Sequence, residues 1–347
     1  MSVRFDTTAL GLACMLLVAC GGGEAEHAEE AEDEGAVASS RSELVASVSG
    51  FETPEGVRYD PAADVFFVSS IVGGPGTKDG AGFISRVGAD GTVQSLRFIE
   101  SGRNGVTLNA PKGMALSGDT LWVADIDVLR GFHRTTGAPL ATVDLAPNGA
   151  IFLNDVAIGP DGARYVTDTG IVFDAAGAMT HTGPDRIYRV EGATVTVAAE
   201  GTALGLPNGI AAYPSGGFVL APNGITTVQR WSGTGGVPET EAEGPGSYDG
   251  VEVLADGRLL ISSWADSTVY EVRESVMRPL VRAVNSPADI GVDTRRGNVA
   301  IPLFLENRVE IWSIPPEPAA ASEEPSGEGA EATEHAAPAE HAEPAAH

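Results

Sequence analysis

Four residues at equivalent points of an internal repeat carry side-chain oxygens that together could hold a metal ion: Glu55, Asn154, Asn208 and Asp249. Each fills the same slot of a short motif, Pro54-Glu55-Gly56-Val57, Leu153-Asn154-Asp155-Val156, Pro207-Asn208-Gly209-Ile210 and Tyr248-Asp249-Gly250-Val251. Two further copies place Lys112 and Ala288 in the slot. Two carboxylates and two carboxamides, with no Cys or His, are hard donors, and two formal negative charges match a divalent cation. Such a set favours Ca2+ first, with Mg2+ or Mn2+ behind it; Zn2+, which prefers nitrogen and sulfur, ranks lower. Asn-Gly and Asp-Gly are also good turn formers, and that would explain any single slot. Four oxygen donors at one repeated position point instead to a site, the more so because Glu55 is a poor turn residue.

The elements that must position these side chains follow from the repeat. Slot to slot, the spacings are 57, 42, 54, 41 and 39 residues. Within each unit an alternating strand leads to a Gly/Asp-rich turn and a returning β-branched or aromatic strand, as in Arg58-Tyr59, then 60–64, then Val65-Phe66-Phe67-Val68. A second strand pair completes the unit. Four strands in roughly 40 to 50 residues make a propeller blade. The fold class expected is therefore all-β, a six-bladed β-propeller with a central metal site, spanning residues 43–316. The first strand of every blade starts at the same height beside the axis, which brings the six slots together. The last unit runs into a Pro-rich tail without an outermost strand, and residues 44–48 are expected to supply it and close the ring.

Two units are long. Segments 71–81 and 170–185 fall between second and third strands, on the same face as the slots, and are expected to overhang them as lids. Lys78 in the first lid, Phe152, and the second-strand ends Asp125, Asp168 and Trp264 are candidate walls of a substrate pocket, as are Ser70 and Phe304.

Composition sets the limits on partners. The formal net charge is −27 over 347 residues, but residues 20–40 carry seven acidic and no basic side chains and residues 317–347 carry eight and none. These Ala/Glu/Pro-rich ends have the composition of disorder: a tether over 20–42 and a tail over 317–347. An acidic chain without a basic cluster is a poor nucleic-acid binder. Residues 1–19 read as an export signal, and Leu17-Val18-Ala19-Cys20-Gly21 resembles a bacterial lipobox with Cys20 as the lipidated residue. The expected location is that of an exported lipoprotein facing the periplasm or cell exterior, attached to a membrane through Cys20 only. Cys14 and Cys20 are the only cysteines, so the folded domain has no disulfide. A monomer acting on a small molecule is expected.

Over residues 45–314 the chain resembles the family that includes senescence marker protein 30 and the gluconolactonases and, more distantly, diisopropylfluorophosphatase and the paraoxonases. The residues carrying the resemblance are Glu55, Asn154 in Asn-Asp-Val-Ala-Ile-Gly-Pro-Asp-Gly, Asn208 in Pro-Asn-Gly-Ile-Ala and Asp249 in Tyr-Asp-Gly-Val. The resemblance implies a six-bladed propeller holding a catalytic divalent metal on its axis through these four. Phe152 stands where the sugar lactonases have an Arg that grips substrate hydroxyls. The paraoxonase-like branch has a His pair above the metal, whereas His133 and His181 are expected in outer positions here.

The activity implied is metal-dependent hydrolysis of lactones or related esters, with Asp249 as general base or nucleophile. Lys112 is a candidate to stabilise an oxyanion, or alternatively to pair with Asp155 or Glu55. The competing expectation is a non-catalytic ligand- or protein-binding propeller with a structural calcium ion.

Overall fold

In the computed structural model, the chain is described over residues 41–174 and 176–316. The export signal with Cys20, almost all of the tether, and the acidic tail lie outside the described residues. Among the described residues no helix is long and apolar enough to cross a membrane.

Six four-stranded antiparallel sheets form the six blades of a propeller. The innermost strands are Pro54–Asp60, Pro111–Ser117, Leu153–Ile158, Pro207–Ala212, Tyr248–Val253 and, in the last blade, the short Gly291–Asp293. The outermost strand of the last blade is Leu44–Ser49, paired antiparallel with Arg308–Ser313. The two ends of the fold thus close the ring, as the missing strand required.

The core is divided between blades rather than gathered at a centre. Alternating residues of facing sheets interlock: Trp122 and Leu129 of the second blade pack on Val156, Val166 and Tyr188 of the third. The equivalent contact between third and fourth blades joins Tyr165, Phe218 and Trp231. The second strand of each blade is buried on both faces this way, as in Val65–Ser70 and Leu259–Ser263.

A β-bulge fixes the slots. In the first five blades the pairing of first and second strands slips just at the slot residue, between Pro54 and Val57, Pro111 and Met114, Leu153 and Val156, Pro207 and Gly209, and Tyr248 and Val251. A bulge bends its strand and re-aims the side chain, here toward the axis. It also leaves a backbone N–H without a ladder partner. Hydroxyls on the second strands accept these donors: Ser69 Oγ from Gly56 N (2.8 Å), Thr167 Oγ1 from Asp155 N (2.9 Å) and Ser262 Oγ from Gly250 N (2.8 Å). Two of them donate onward to the slot carbonyl of the next blade, Thr167 to Asn208 O (2.6 Å) and Ser262 to Ala288 O (2.8 Å). One hydroxyl therefore satisfies a buried amide and locks adjacent slots in register. Entry to the bulge is tight: Thr53, Leu206 and Ser247, just before three of these inner strands, all have positive φ.

The lids differ from each other. Segment 71–82 has no strand, whereas the second lid contains a two-stranded hairpin, Ile171–Phe173 with Met179–His181.

Candidate metal centre and pocket

Glu55, Lys112, Asn154, Asn208 and Asp249 converge on the floor of one cavity of about 390 Å³. All five are buried. Two carboxylate oxygens on this floor, Glu55 Oε2 and Asp249 Oδ1, are buried without a hydrogen-bond partner. Orphaned charged oxygens of this kind are costly, and a protein tolerates them where something else fills the gap. The carboxamides are turned to match. Asn154 donates its Nδ2–H to Thr169 Oγ1 (3.1 Å) and Asn208 directs its own at Tyr248 O (3.5 Å), so neither contact uses an amide oxygen. The indole N–H of Trp264 approaches Asp249 and helps hold its pKa down, without closing a hydrogen bond of normal geometry.

The electrostatics follow from burial. Desolvation, then the nearby Asp249, push the Glu55 carboxyl well above its usual range, with Lys112 opposing. Desolvation likewise raises Asp249 to about 7. Burial lowers the Lys112 ammonium, against the pull of Glu55. A divalent cation seated among four oxygens would reverse the first two shifts, and the donor set, two carboxylates and two amide oxygens, fits Ca2+.

A consequence can be measured in chelator. Native Asp249 keeps its proton to about pH 7, whereas an unfolded Asp gives it up near ~4. Between those values the native state binds more protons than the unfolded one, so stability falls as pH rises. Glu55 and the buried Asp289 act in the same direction. The metal-free protein is expected to melt at lower temperature near pH ~8 than near pH ~5, with added Ca2+ recovering the loss at the higher pH. A melting temperature that climbs across this interval in chelator would contradict the raised carboxyls.

Lys112 makes no ion pair with Asp155 or Glu55. Its Nζ donates to Ala110 O (3.2 Å) and lies 4.1 Å from the centre of the Phe152 ring. Phe152 in turn packs on Phe173 of the lid hairpin, 5.5 Å between centroids. Trp264 and Phe304 also line the cavity and pack together, 5.4 Å apart. Both lids contribute wall residues, Ile71 and Pro75 from the first, Ile171, Phe173 and Met179 from the second.

Several expectations need correction. Asp125 and Asp168 are not wall residues. Asp125 accepts the backbone N–H groups of Asn109 and Ala110 and pairs with Arg130, and Asp168 accepts those of Ile151, Phe152 and Gly170. Their carboxylates turn into the loop entering their own blade, where unpaired amides outcompete the cavity. Lys78 does not reach the pocket either, because its ammonium crosses to Asp127. Ser70, buried at a strand end, does not line the cavity. His181, expected at the periphery, sits on the lid hairpin, where Nε2 meets Asp185 (2.8 Å).

Residues that sequence reasoning passed over include Thr169, Leu206 and Asn223 in the wall, and a second polar layer next along the inner strands. There Asp155 and Asp289 stand where the other blades have Gly. Asp155 accepts Val156 N (2.6 Å) and Ile210 N (2.8 Å), while both oxygens of Asp289 are unpartnered. The signal was available as two Asp residues in a column of glycines. The glycines make room: a Cβ on Gly113 would lie 2.2 Å from Asp155 Oδ1, and one on Gly250 2.9 Å from Asp289 Oδ1.

No protein-family model matches the sequence, and no curated protein matches it. Solved structures do match in fold. A candidate gluconolactonase aligns with a TM-score of 0.58 at 17% identity, covering 80% of this chain and 92% of that one. A gluconolactonase from Xanthomonas campestris aligns with a TM-score of 0.58 at 18% identity, covering 77% and 88%. The virginiamycin B lyase of Staphylococcus aureus aligns with a TM-score of 0.54 at 13% identity, covering 79% and 100%. The chain thus has the fold of the gluconolactonase propellers, shared with a lyase.

Proposed function

We propose that this propeller is a divalent-cation-dependent hydrolase of lactones or related esters, with its centre at Glu55, Asn154, Asn208 and Asp249. The observation that carries the proposal is the pair of orphaned buried carboxylate oxygens, on Glu55 and Asp249, in a cavity that Asn154 and Asn208 also line. The fold shared with gluconolactonases supports the reaction class.

When bound, the cation would supply Lewis-acid polarisation of the substrate carbonyl and neutralise the two carboxylates. The protein groups have separable tasks. Glu55, Asn154 and Asn208 hold the floor and orient the ester. Asp249, ionised once its site is neutralised, takes a proton from water as the water oxygen bonds to the carbonyl carbon. When the ring C–O bond breaks, the same carboxyl returns that proton to the leaving alkoxide, so the products are the hydroxy acid and the regenerated carboxylate. In the alternative course the Asp249 carboxylate attacks the carbonyl carbon, the ring C–O bond breaks and the alkoxide takes a proton from water, and the hydroxide left then cleaves the mixed anhydride to give the hydroxy acid and the Asp249 carboxylate. Lys112 spends one N–H on Ala110 O, and as an ammonium its others can meet the oxyanion that develops on the carbonyl oxygen.

The test is a panel of lactones and aryl esters assayed with the purified protein. Turnover that disappears in chelator and returns with Ca2+ is the expected result. No turnover on any member, together with a large chelator-induced drop in melting temperature, would overturn the hydrolase and leave a binding propeller with a structural ion.

A further inference from the structure

We infer that the substrate is a hydrophobic lactone or ester, carrying a hydrocarbon substituent rather than a polyhydroxylated ring. This rests on the proposed hydrolytic reading of the same site and names its substrate class. Apart from Thr169, Asn223 and the Trp264 indole, the wall above the floor is apolar, formed by Phe152, Ile171, Phe173, Met179, Leu206 and Phe304. Two of these polar side chains are already engaged. Thr169 Oγ1 accepts from Asn154 and donates to Pro207 O (2.9 Å), and Asn223 Nδ2 donates to Tyr248 O (3.3 Å). The Trp264 N–H points at Asp249. Lys112 is covered by the Phe152 ring, which leaves its ammonium for one oxygen near the floor and none for a row of hydroxyls.

The wall therefore accepts methylenes and rejects hydroxyls. A hydroxyl buried there without a partner would lower affinity roughly tenfold, while each methylene moved from water to the wall gains up to about fourfold. The apolar surface also continues outward. Met179, at 55% exposure, stands on the lip of the cavity, and Leu305, at 66%, follows the wall residue Phe304. The cavity volume of about 390 Å³ suits a substituted ring whose tail crosses this lip.

The experiment compares kcat/KM for glucono-δ-lactone with that for δ-lactones bearing n-alkyl chains of increasing length, in Ca2+. A rise of about two- to fourfold per methylene until the cavity fills is expected, with the polyhydroxylated lactone slower than the unsubstituted ring. In a Phe173→Ser/Met179→Ser double variant the dependence on chain length is expected to flatten, with the change in KM. A polyhydroxylated lactone turned over as well as the alkyl series, or a chain-length dependence unaltered in the variant, would overturn the inference while leaving the hydrolase standing. If no lactone is hydrolysed, the hydrolase falls instead, and calorimetric titration with the same alkyl series decides the inference. Affinity that rises with chain length upholds an apolar ligand, and flat or absent binding overturns it.

Discussion

An Asp249→Asn protein is expected to lose hydrolysis by ~10²- to 10⁴-fold in kcat/KM while folding as well as the parent. The substitution keeps the shape of the side chain and removes the proton acceptor together with half of the formal charge offered to the cation. Its stability signature separates a functional carboxylate from a structural one. In chelator the parent keeps two buried, mutually repelling carboxyls, Glu55 and Asp249, each raised by desolvation. Asn at 249 relieves both penalties, so the variant should melt at the same temperature as the metal-free parent or higher. Were Asp249 a structural acceptor like Asp168, its loss would strand backbone donors and lower stability instead. An Asp249→Asn protein with undiminished turnover would remove Asp249 from the reaction.

The second large effect concerns ring closure. Deleting residues 41–50 removes the strand Leu44–Ser49, leaves Arg308–Ser313 as an open edge and uncovers the cluster in which Val48 packs with Val309 and Ile311. Losing that burial and a full strand ladder should cost on the order of 4 kcal/mol, a large share of ordinary domain stability. At this chain length that corresponds to a fall of roughly 10 °C in melting temperature, with aggregation through the bare edge. Differential scanning calorimetry of the truncated protein checks this. A melting temperature within about 2 °C of the parent would mean that the last blade is stable with three strands.

Most of the architecture was legible in the sequence because a propeller repeats itself. The slot motif recurs, its spacing fits four strands, and the missing sixth outer strand had one candidate near the N-terminal end. The convergence of the slots followed from pseudo-symmetry alone. What the repeat could not reveal was local. No sequence pattern announces that a bulge sits just at the slot, or that Ser69, Thr167 and Ser262 satisfy the amides it frees. Strand ends were a weaker guide than slots, since Asp125 and Asp168 share their height with the floor but spend their oxygens on loop amides. Lys78 is no wall residue because its side chain reaches from the lid to the buried carboxylate of Asp127. The apolar wall was half visible: Phe152, Trp264 and Phe304 are legible in the repeat, but Ile171, Phe173 and Met179 reach the cavity only because segment 170–185 folds into a hairpin.

On the proposed reading, the oxygen-rich floor and the apolar wall divide the work of the pocket. Charge and oxygen donors lie on the inner strands, whose register is fixed by bulges and hydroxyl bridges, whereas Ile71, Pro75, Ile171, Phe173 and Met179 of the wall lie on the lids. A rigid scaffold presenting variable loops is a common arrangement for catalysis.

The most direct measurement is calorimetric titration of chelator-stripped protein with Ca2+, beside a Glu55→Gln variant. One ion per chain with binding abolished or greatly weakened in the variant is predicted. No binding by the parent, or binding that Glu55→Gln leaves intact, would contradict a cation centre at Glu55, Asn154, Asn208 and Asp249.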